Sequence, residues 1–457
     1  MKPIQKLLLF FLNFFTLFCA QSSFASDTVY ALTAPYPTVC ENVTFQSIID
    51  LWNGSEASDI TELAISDITY SELSSVWGIS HNVTVLPEDE LLQYAWDSQA
   101  YAIVPFDQLR AEWKVLSVDG KSPFLTDFDP ADYELTLNIE GRKETNYDRS
   151  KLTTLTLTGT TAMARNLAYH IETDGLLVPV ENIAHVLSSS DITHISNESS
   201  FYTECPPAVP LRREARFCSS PAYFPILTEI GTDIVELTGN HNLDWGEEAY
   251  RYTLDLYKAT GIKTYGGGIT PEEAAQPLLI EHNGNKLAFI GCNAIGPDKA
   301  LVSDDKPGAN SCDRGKLKEQ ILDLKENGYQ VVITFQHLEH MGYDVPRLQN
   351  YDFYWIAKEA APTIISGSQA HIPQGMTFSN GTFIHFGLGN LLFDQMSDIE
   401  RTSFFDRHYF YDGKYLGNHL ETIILENYSQ PRFLTSEERE KFLNLIFDTC
   451  EWSGVTF

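Results

Sequence analysis

Glu236-Leu-Thr-Gly-Asn-His-Asn-Leu-Asp-Trp-Gly246 is the stretch on which the reading of this chain turns. The residues leading into it, Asp233-Ile-Val-Glu-Leu-Thr238, make a short apolar run of strand character, and Gly239 then permits a close backbone approach or an unusual φ. Asn240 and His241 therefore leave the strand at its C-terminal end, where α/β folds place ligands. The competing reading is a polar turn capping a helix that starts near Trp245. Asp244 has two readings as well, helix N-cap or orienting partner of an imidazole.

Two clusters downstream repeat the layout. Gln330-Val-Val-Ile-Thr-Phe335 is an apolar strand ending in Gln336-His-Leu-Glu-His340, and Thr363-Ile-Ile-Ser366 is another, ending in Gly367-Ser-Gln-Ala-His-Ile-Pro-Gln374. A lone loop histidine is ordinarily a solvated residue, whereas three at equivalent strand ends describe one cleft.

The order and spacing of these elements resemble the CapA-type poly-γ-glutamate capsule synthesis family, from Leu155 to about Gln395. The resemblance rests on Leu157-Thr-Gly-Thr160, Ser196-Asn-Glu198, Gly239-Asn-His-Asn-Leu-Asp244, His337, Gly367-Ser-Gln-Ala-His371 and the closing Phe386-Gly-Leu-Gly-Asn-Leu-Leu-Phe-Asp-Gln395. It implies an α/β fold, a metallophosphatase-like α/β/β/α sandwich, preceded here by a smaller α/β domain. It also implies a divalent metal ion (Mn, Zn or Fe), one or two, on Glu198, Asn240, His241, His337 and His371. His337, Asp244 and His241 are then the catalytic candidates, for proton transfer or for orienting a ligand.

The departures from the family pattern fall on the implied metal ligands. Thr160 follows Gly159 where the family has Gly-Asp, and a neutral hydroxyl is a poorer ligand for a hard cation than a carboxylate. Gln369 stands where the first histidine of Gly-x-His-x-His is expected, leaving His371. The aromatic-Gly and Glu that usually follow the third cluster's histidine are missing, although Glu339 or His340 can substitute geometrically. The set suffices for one metal ion but not clearly for a two-metal clamp. Two functions follow: a metal-dependent hydrolase of a poly-γ-glutamate or other envelope polymer, or a non-catalytic polymer-binding or assembly protein on a degenerate fold.

Lys2 and Lys6 precede an apolar run, Leu7 to Ala20, and Gln21-Ser-Ser-Phe-Ala-Ser26 offers a small-x-Ala site, so residues 1–25 read as a signal peptide. The expectation is an exported, extracellular or periplasmic envelope protein, associated with a membrane only if the leader is retained or is lipidated at Cys19. Six cysteines remain beyond the leader, an even number that suggests disulfides. Cys205 with Cys218 and Cys292 with Cys312 are the pairs nearest in sequence, and no Cys-x-x-Cys occurs. The sequons at Asn42, Asn53, Asn82, Asn197, Asn380 and Asn427 matter only in a eukaryotic secretory pathway.

Lys and Arg number 31 against 62 Asp and Glu, a formal charge of −31, which excludes nucleic acid and anionic lipid as partners. It also opposes tight capture of an anionic polymer without help from a metal. The expected partners are an anionic or glycan envelope polymer and capsule-assembly proteins. Leu211-Arg-Arg-Glu-Ala-Arg216 is the one local basic cluster, a solvated loop or a clamp for carboxylate or phosphate.

The boundary between domains is placed at residues 143–151. Residues 27–145 read as a small α/β unit with a solute-binding-lobe character. Its helices are expected at Ser47–Trp52 and Glu88–Trp96 and a strand at Tyr101–Pro105. Trp52, Trp77, Trp96 and Trp113 are either core or a glycan-recognition set. Residues 151–395 alternate strand and helix, with Gly266-Gly-Gly268 as a plain turn or an anion cradle. Residues 396–457 read as an extension packed on that domain, with a turn at Asp412-Gly413, a strand at Glu421–Glu426 and a helix at Ser436–Phe447.

Overall fold

The computed structural model describes residues 25–210, 215–337, 342–395 and 397–455. The N-terminal unit runs β1 (Ala25–Pro35), β2 (Asn42–Val43), α1 (Phe45–Trp52), β3 (Leu63–Ser66), α2 (Asp67–Trp77), β4 (Thr84–Leu86) and α3 (Glu88–Ser98). It continues with β5 (Tyr101–Pro105), β6 (Trp113–Val118) and β7 (Thr136–Glu140). Its sheet has the order β2-β6-β1-β5-β3-β4, with β7 also on β1. The alternation of β3, β4 and β5 with helices makes those strands parallel, while β1 meets β5 and β6 antiparallel. The tryptophans are core rather than a binding set. Trp52 is 1% exposed, Trp77 stands edge-on to it, and Trp113 is 3% exposed. Trp96 is partly buried and donates its indole N–H to Glu112 O. Large rings at helical spacing bury the most area per residue.

The second unit opens with β8 (Leu152–Thr161), α4 (Arg165–Asp174), α5 (Ala184–Leu187) and β9 (Ile192–Asn197). Next come α6 (Pro225–Glu229), β10 (Thr232–Glu236), α7 (Gly246–Thr260), β11 (Lys263–Tyr265), β12 (Gly267–Gly268), α8 (Pro271–Ala274) and the hairpin β13 (Leu278–His282) with β14 (Asn285–Asn293). Then follow β15 (Gly308–Ala309), α9 (Arg314–Glu326), β16 (Gln330–Gln336), α10 (Arg347–Ala360), β17 (Ile364–Ser366), β18 (Met376–Ser379), β19 (Thr382–His385) and β20 (Asn390–Leu392). The chain closes with β21 (Thr402–Tyr411), β22 (Lys414–Glu426), β23 (Gln430–Phe433) and α11 (Ser436–Phe447).

These strands form two facing sheets, β11-β10-β9-β8-β21-β22-β23 with β20 beside β8, and β13-β14-β16-β17-β19-β18. Period-two alternation explains the layers. Leu287 and Phe289 of β14 and Val332 of β16 point into the space between the sheets, with Leu155, Leu157, Ile192 and Ile234 opposite. Their sequence neighbours Ala288, Ile290, Val331 and Ile333 point outward, under Leu317 and Ile321 of α9 and Phe353 and Ile356 of α10. On the other side, Ile195 and Val235 point outward beneath Leu167 of α4, Leu227 of α6 and Tyr250 of α7. The strands are apolar on both faces because both faces are covered, and the result is a four-layer α/β/β/α sandwich.

Residues 402–433 do more than pack on this unit. They supply β21, β22 and β23, and β21 pairs with β8 over seven residues, from Phe405↔Thr158 to Tyr411↔Leu152. Asp412-Gly413 is the turn, with both residues at positive φ, and β22 runs 13 residues where only its second half reads as a strand. The N-terminal unit packs on this hairpin: Tyr409, Tyr411 and Leu416 belong to its core.

Gly267 and Gly268 pair with Ala309 and Gly308, which makes that segment a strand pair and not an anion cradle. Cys205 bonds Cys218 and Cys292 bonds Cys312. Cys40 and Cys450 are free thiols, so the even cysteine number does not mean full pairing. Burial pushes the Cys450 thiol up to about 12. Among the described residues no helix is long and apolar enough to cross a membrane. Residues up to Phe24, where the signal peptide is expected, and the basic residues Arg212 and Arg213 lie outside the described residues.

Candidate functional site

The parallel strands β8, β9 and β10 of one sheet and β14, β16 and β17 of the other end on the same side of the sandwich. Strand parity selects which side chains enter the space between the sheets. Ile234 of β10 points inward and Glu236 and Thr238 share its parity, as Glu198 shares that of Ile192 across β9. Glu236 lies at the base of the cleft, fully buried, accepting from the hydroxyls of Thr238 and Ser368. Burial alone would raise its pKa, but His194 and these hydroxyls hold it below the ordinary carboxylate range.

Above it, Glu198 is 0% exposed and neither carboxylate oxygen has a hydrogen-bond partner. Gly239 is what lets the Gly-Asn-His loop lie on it. A Cβ there would stand 2.5 Å from Glu198 Cβ, 2.6 Å from its Cα and 3.3 Å from Gln369 Nε2. His371 presents Nε2 to Glu198 Oε2 at 3.9 Å. Its other nitrogen, Nδ1, lies 2.7 Å from Asn390 Oδ1, and that amide is oriented by donating Nδ2 to Glu400 O at 3.0 Å. The amide oxygen can only accept, so Nδ1 carries a proton and the ring is turned with Nε2 toward the carboxylate.

His241 is oriented in a similar way. Its Nδ1 lies 2.7 Å from Asp244 Oδ2, and the same oxygen accepts the Phe217 N–H at 2.9 Å. Asp244 is therefore the partner of the imidazole; the helix it was expected to cap starts at Gly246 with Trp245 as N-cap. Burial pulls the His241 pKa down, but the bond to Asp244 and the charges of Glu198 and Asp244 outweigh it and leave it raised. Phe217 packs on His241 at 4.3 Å and Phe393 on His371 at 4.6 Å, and the two phenyl rings meet edge-on. Arg165 lies over both rings while bonded to Asp394 at 2.5 Å. The Cys205–Cys218 bond anchors the Phe217 loop, and Arg216 donates Nε to Asp244 O and stacks on Trp245.

The structure thus brings together Glu198, His241 with Asp244, and His371, with Asn240 on the loop between Gly239 and His241. His337 has different contacts. It carries the parity of Ile333 and Phe335, which face the helices, and its described partners are Asp352 Oδ2 at 3.0 Å from Nε2 and the ring of Phe353. Burial lowers its pKa in spite of Asp352. Glu339 and His340 lie outside the described residues. The two departures from the family pattern are neighbours: Thr160 is fully buried, its hydroxyl 3.4 Å from Ala370 O, beside Gln369, whose amide atoms have no hydrogen-bond partner.

Among the described residues no three His, Cys, Asp or Glu side chains converge on one point. The groups that do face each other are the Glu198 carboxylate and His371 Nε2. Their spacing lies within the span one ion with bonds of about 2.0–2.2 Å can bridge. Two facing donors do not by themselves complete a metal-binding group. Asn390, Phe217 and Phe393 complete the site without having been singled out as site residues; Asn390 sat in view within Phe386–Gln395, whereas nothing local marks Phe217.

Sequence comparison gives the matching context. "Bacterial capsule synthesis protein PGA_cap" describes the family whose profile matches residues 154–395. The PGA biosynthesis protein CapA of Bacillus subtilis (strain 168) is 23% identical over 174 residues, 37% of this chain and 45% of that protein. The capsule biosynthesis protein CapA of Bacillus anthracis is 24% identical over 170 residues, 36% and 41% of the two chains. The chain spans less than half the length of these curated relatives. Among solved structures, the 5'-nucleotidase precursor from Thermus thermophilus is 13% identical with a TM-score of 0.36, covering 64% of this chain and 58% of that one. The matched region takes in every strand end that builds the cleft and more than half of the residues, and the chain belongs to the bacterial capsule synthesis protein PGA_cap family.

Proposed function

We propose that this protein is exported and acts in the synthesis or processing of an anionic cell-envelope polymer of the capsule or poly-γ-glutamate class, using the cleft between its two sheets. The observation that carries the reading is that buried Glu198 Oε2 and His371 Nε2 face each other 3.9 Å apart, with no hydrogen bond to either carboxylate oxygen. An unpaired buried carboxylate is costly unless a cation completes it. Glu198 and His371 would hold one divalent ion, with Asn240 adjacent, and such an ion polarises an ester, amide or phosphoryl oxygen. His241, held by Asp244 and with a raised pKa, keeps a proton available for a departing group, and its Nε2 is the transferring nitrogen. Phe217 and Phe393 wall the two imidazoles, with His241 still 18% exposed.

A second reading is favoured by Thr160 and Gln369 lying side by side where further ligands would be needed: a polymer-binding or assembly protein without turnover. One experiment separates them. The protein is reconstituted with manganese, zinc or iron(II), analysed for metal beside Glu198→Gln and His241→Ala, and sedimented with poly-γ-glutamate with and without chelator. About one equivalent of metal lost in Glu198→Gln but kept in His241→Ala, with cation-dependent polymer binding, supports the first reading. Polymer binding by metal-free protein in chelator supports the second.

A further inference from the structure

Away from the cleft, the seam between the N-terminal sheet and the β21–β22 hairpin encloses a cavity of about 350 Å³. None of its lining residues falls within 154–395, the region that carries the family match. Its charged lining consists of Arg407, Arg439, Glu41 and Glu421, with His419 between the two glutamates. On the lining itself two arginines face two glutamates, with Lys114 behind Glu41, so the wall presents charges of both signs. The opposite wall is apolar: Phe124 lies flat on Tyr409, centroids 3.9 Å apart and planes 8° from parallel, beside Leu125 and Phe433.

The charges face one another without closing. Arg407 Nη1 stands 3.7 Å from Glu421 Oε1, and His419 stands 3.7 Å from Glu41 Oε2 and 3.9 Å from Glu421 Oε1, all beyond hydrogen-bond reach. Arg407 Nε is buried with no hydrogen-bond partner, and Nη2 reaches Ser189 Oγ only at 3.4 Å. Glu41 differs in being half engaged: Lys114 at 2.8 Å and Arg439 at 2.6 Å share its Oε1, leaving Oε2 to His419 alone. No atom fits between charges at such separations, so a ligand would meet them side by side from the cavity.

We propose that this cavity binds a small zwitterion of the α-amino-acid class. The carboxylate is received by Arg407, the ammonium by Glu421 and Glu41 Oε2, and the side chain lies against Phe124 and Tyr409. The volume suits a small ligand. Because Glu41 and Phe124 belong to the N-terminal unit and Arg407 and Glu421 to the sandwich, the ligand also ties the two units together.

The test is calorimetric titration of the full chain with the twenty L-amino acids, and then with the deaminated and decarboxylated analogues of the tightest. Two variants accompany it, Glu421→Gln, which keeps shape, and Leu125→Trp, which covers the mouth from a position already 37% exposed. Both are checked by thermal unfolding. The proposal expects at least one amino acid to bind with a Kd below about 1 mM. Each single-charge analogue and each folded variant should then bind about tenfold or more weakly. It is overturned if no amino acid binds at about 1 mM, if an analogue binds as tightly as its parent, or if both folded variants keep wild-type affinity.

Discussion

Glu198→Gln should stabilise the metal-free protein and destabilise the metal-loaded one. The carboxylate is 0% exposed with no hydrogen bond to either oxygen, and His371 Nε2 stands 3.9 Å away, beyond hydrogen-bond reach. The effective cost of an uncompensated buried charge is several kcal/mol, of which an isosteric amide recovers about 2 kcal/mol while keeping the volume filled. The sandwich from Leu152 to Phe447 spans roughly 300 residues, so its unfolding entropy near Tm is about 0.6 kcal/mol/K and the gain is about 3 °C. A cation at about 100 times its Kd adds about 2.7 kcal/mol to the wild type, or about 4 °C, and nothing to the variant. The two melting curves therefore exchange order between chelator and manganese, zinc or iron(II). Differential scanning calorimetry of both proteins in both conditions reads this directly. A variant that melts no higher than wild type in chelator, or that gains as much from the cation, refutes the reasoning.

Gly239→Ala should cost about 1–3 kcal/mol and abolish cation binding, because the new methyl meets Glu198 Cβ and Cα at 2.5 and 2.6 Å, read by denaturant unfolding and metal content. Asp244→Asn should lower the His241 pKa, followed by NMR titration of the imidazole; since the folded pKa is raised, His241 contributes stability below the unfolded value of about 6.5 that disappears as pH rises through the folded pKa, and the variant lacks that contribution. His408 is the opposite case. Burial holds it at about 4, so the unfolded chain takes up a proton first and stability falls by roughly 3 kcal/mol between pH 6.5 and 4, a slope that His408→Gln flattens in urea unfolding. Cys292→Ser with Cys312→Ser opens a loop with a sequence separation of 20 and should cost about 3 kcal/mol in the same assay.

The sandwich was legible where burial on both faces writes itself as continuous apolar sequence, as in Gln330–Phe335, Lys286–Gly291 and Thr363–Ser366. The cleft was legible where a glycine and polar residues follow such a strand, as at Gly239-Asn-His. The first half of β22, Lys414-Tyr-Leu-Gly-Asn-His, was not, because Gly417 and its polar neighbours weaken the strand pattern, and only pairing with β21 holds it extended. The buried polar groups between the sheets were equally hidden. His194 meets Tyr265 across 71 residues, and His385 of β19 meets Asp406 of β21 across the gap between the two sheets, with no local spacing to announce either. His337 is a case where parity in the sequence already held the answer: it follows Ile333 and Phe335 two by two, and so joins the helical side. The losses at Thr160 and Gln369 were visible as residues, but their adjacency depends on the fold.

β21 lies between β8 and β22, so a strand made early waits for one made late. During synthesis from the N-terminus, β8 emerges with β9 and β10 on one flank, while its other flank stays open until about 250 further residues have followed, the separation of Thr158 from Phe405. An open strand edge of that kind, with its unpaired N–H and C=O groups, recruits whatever extended chain is nearby, its own copies included. Cutting the gene at the end of the family-matched region, after Gln395, makes that exposure permanent. Truncations that remove β21 should therefore fail by aggregation and not by loss of an accessory piece.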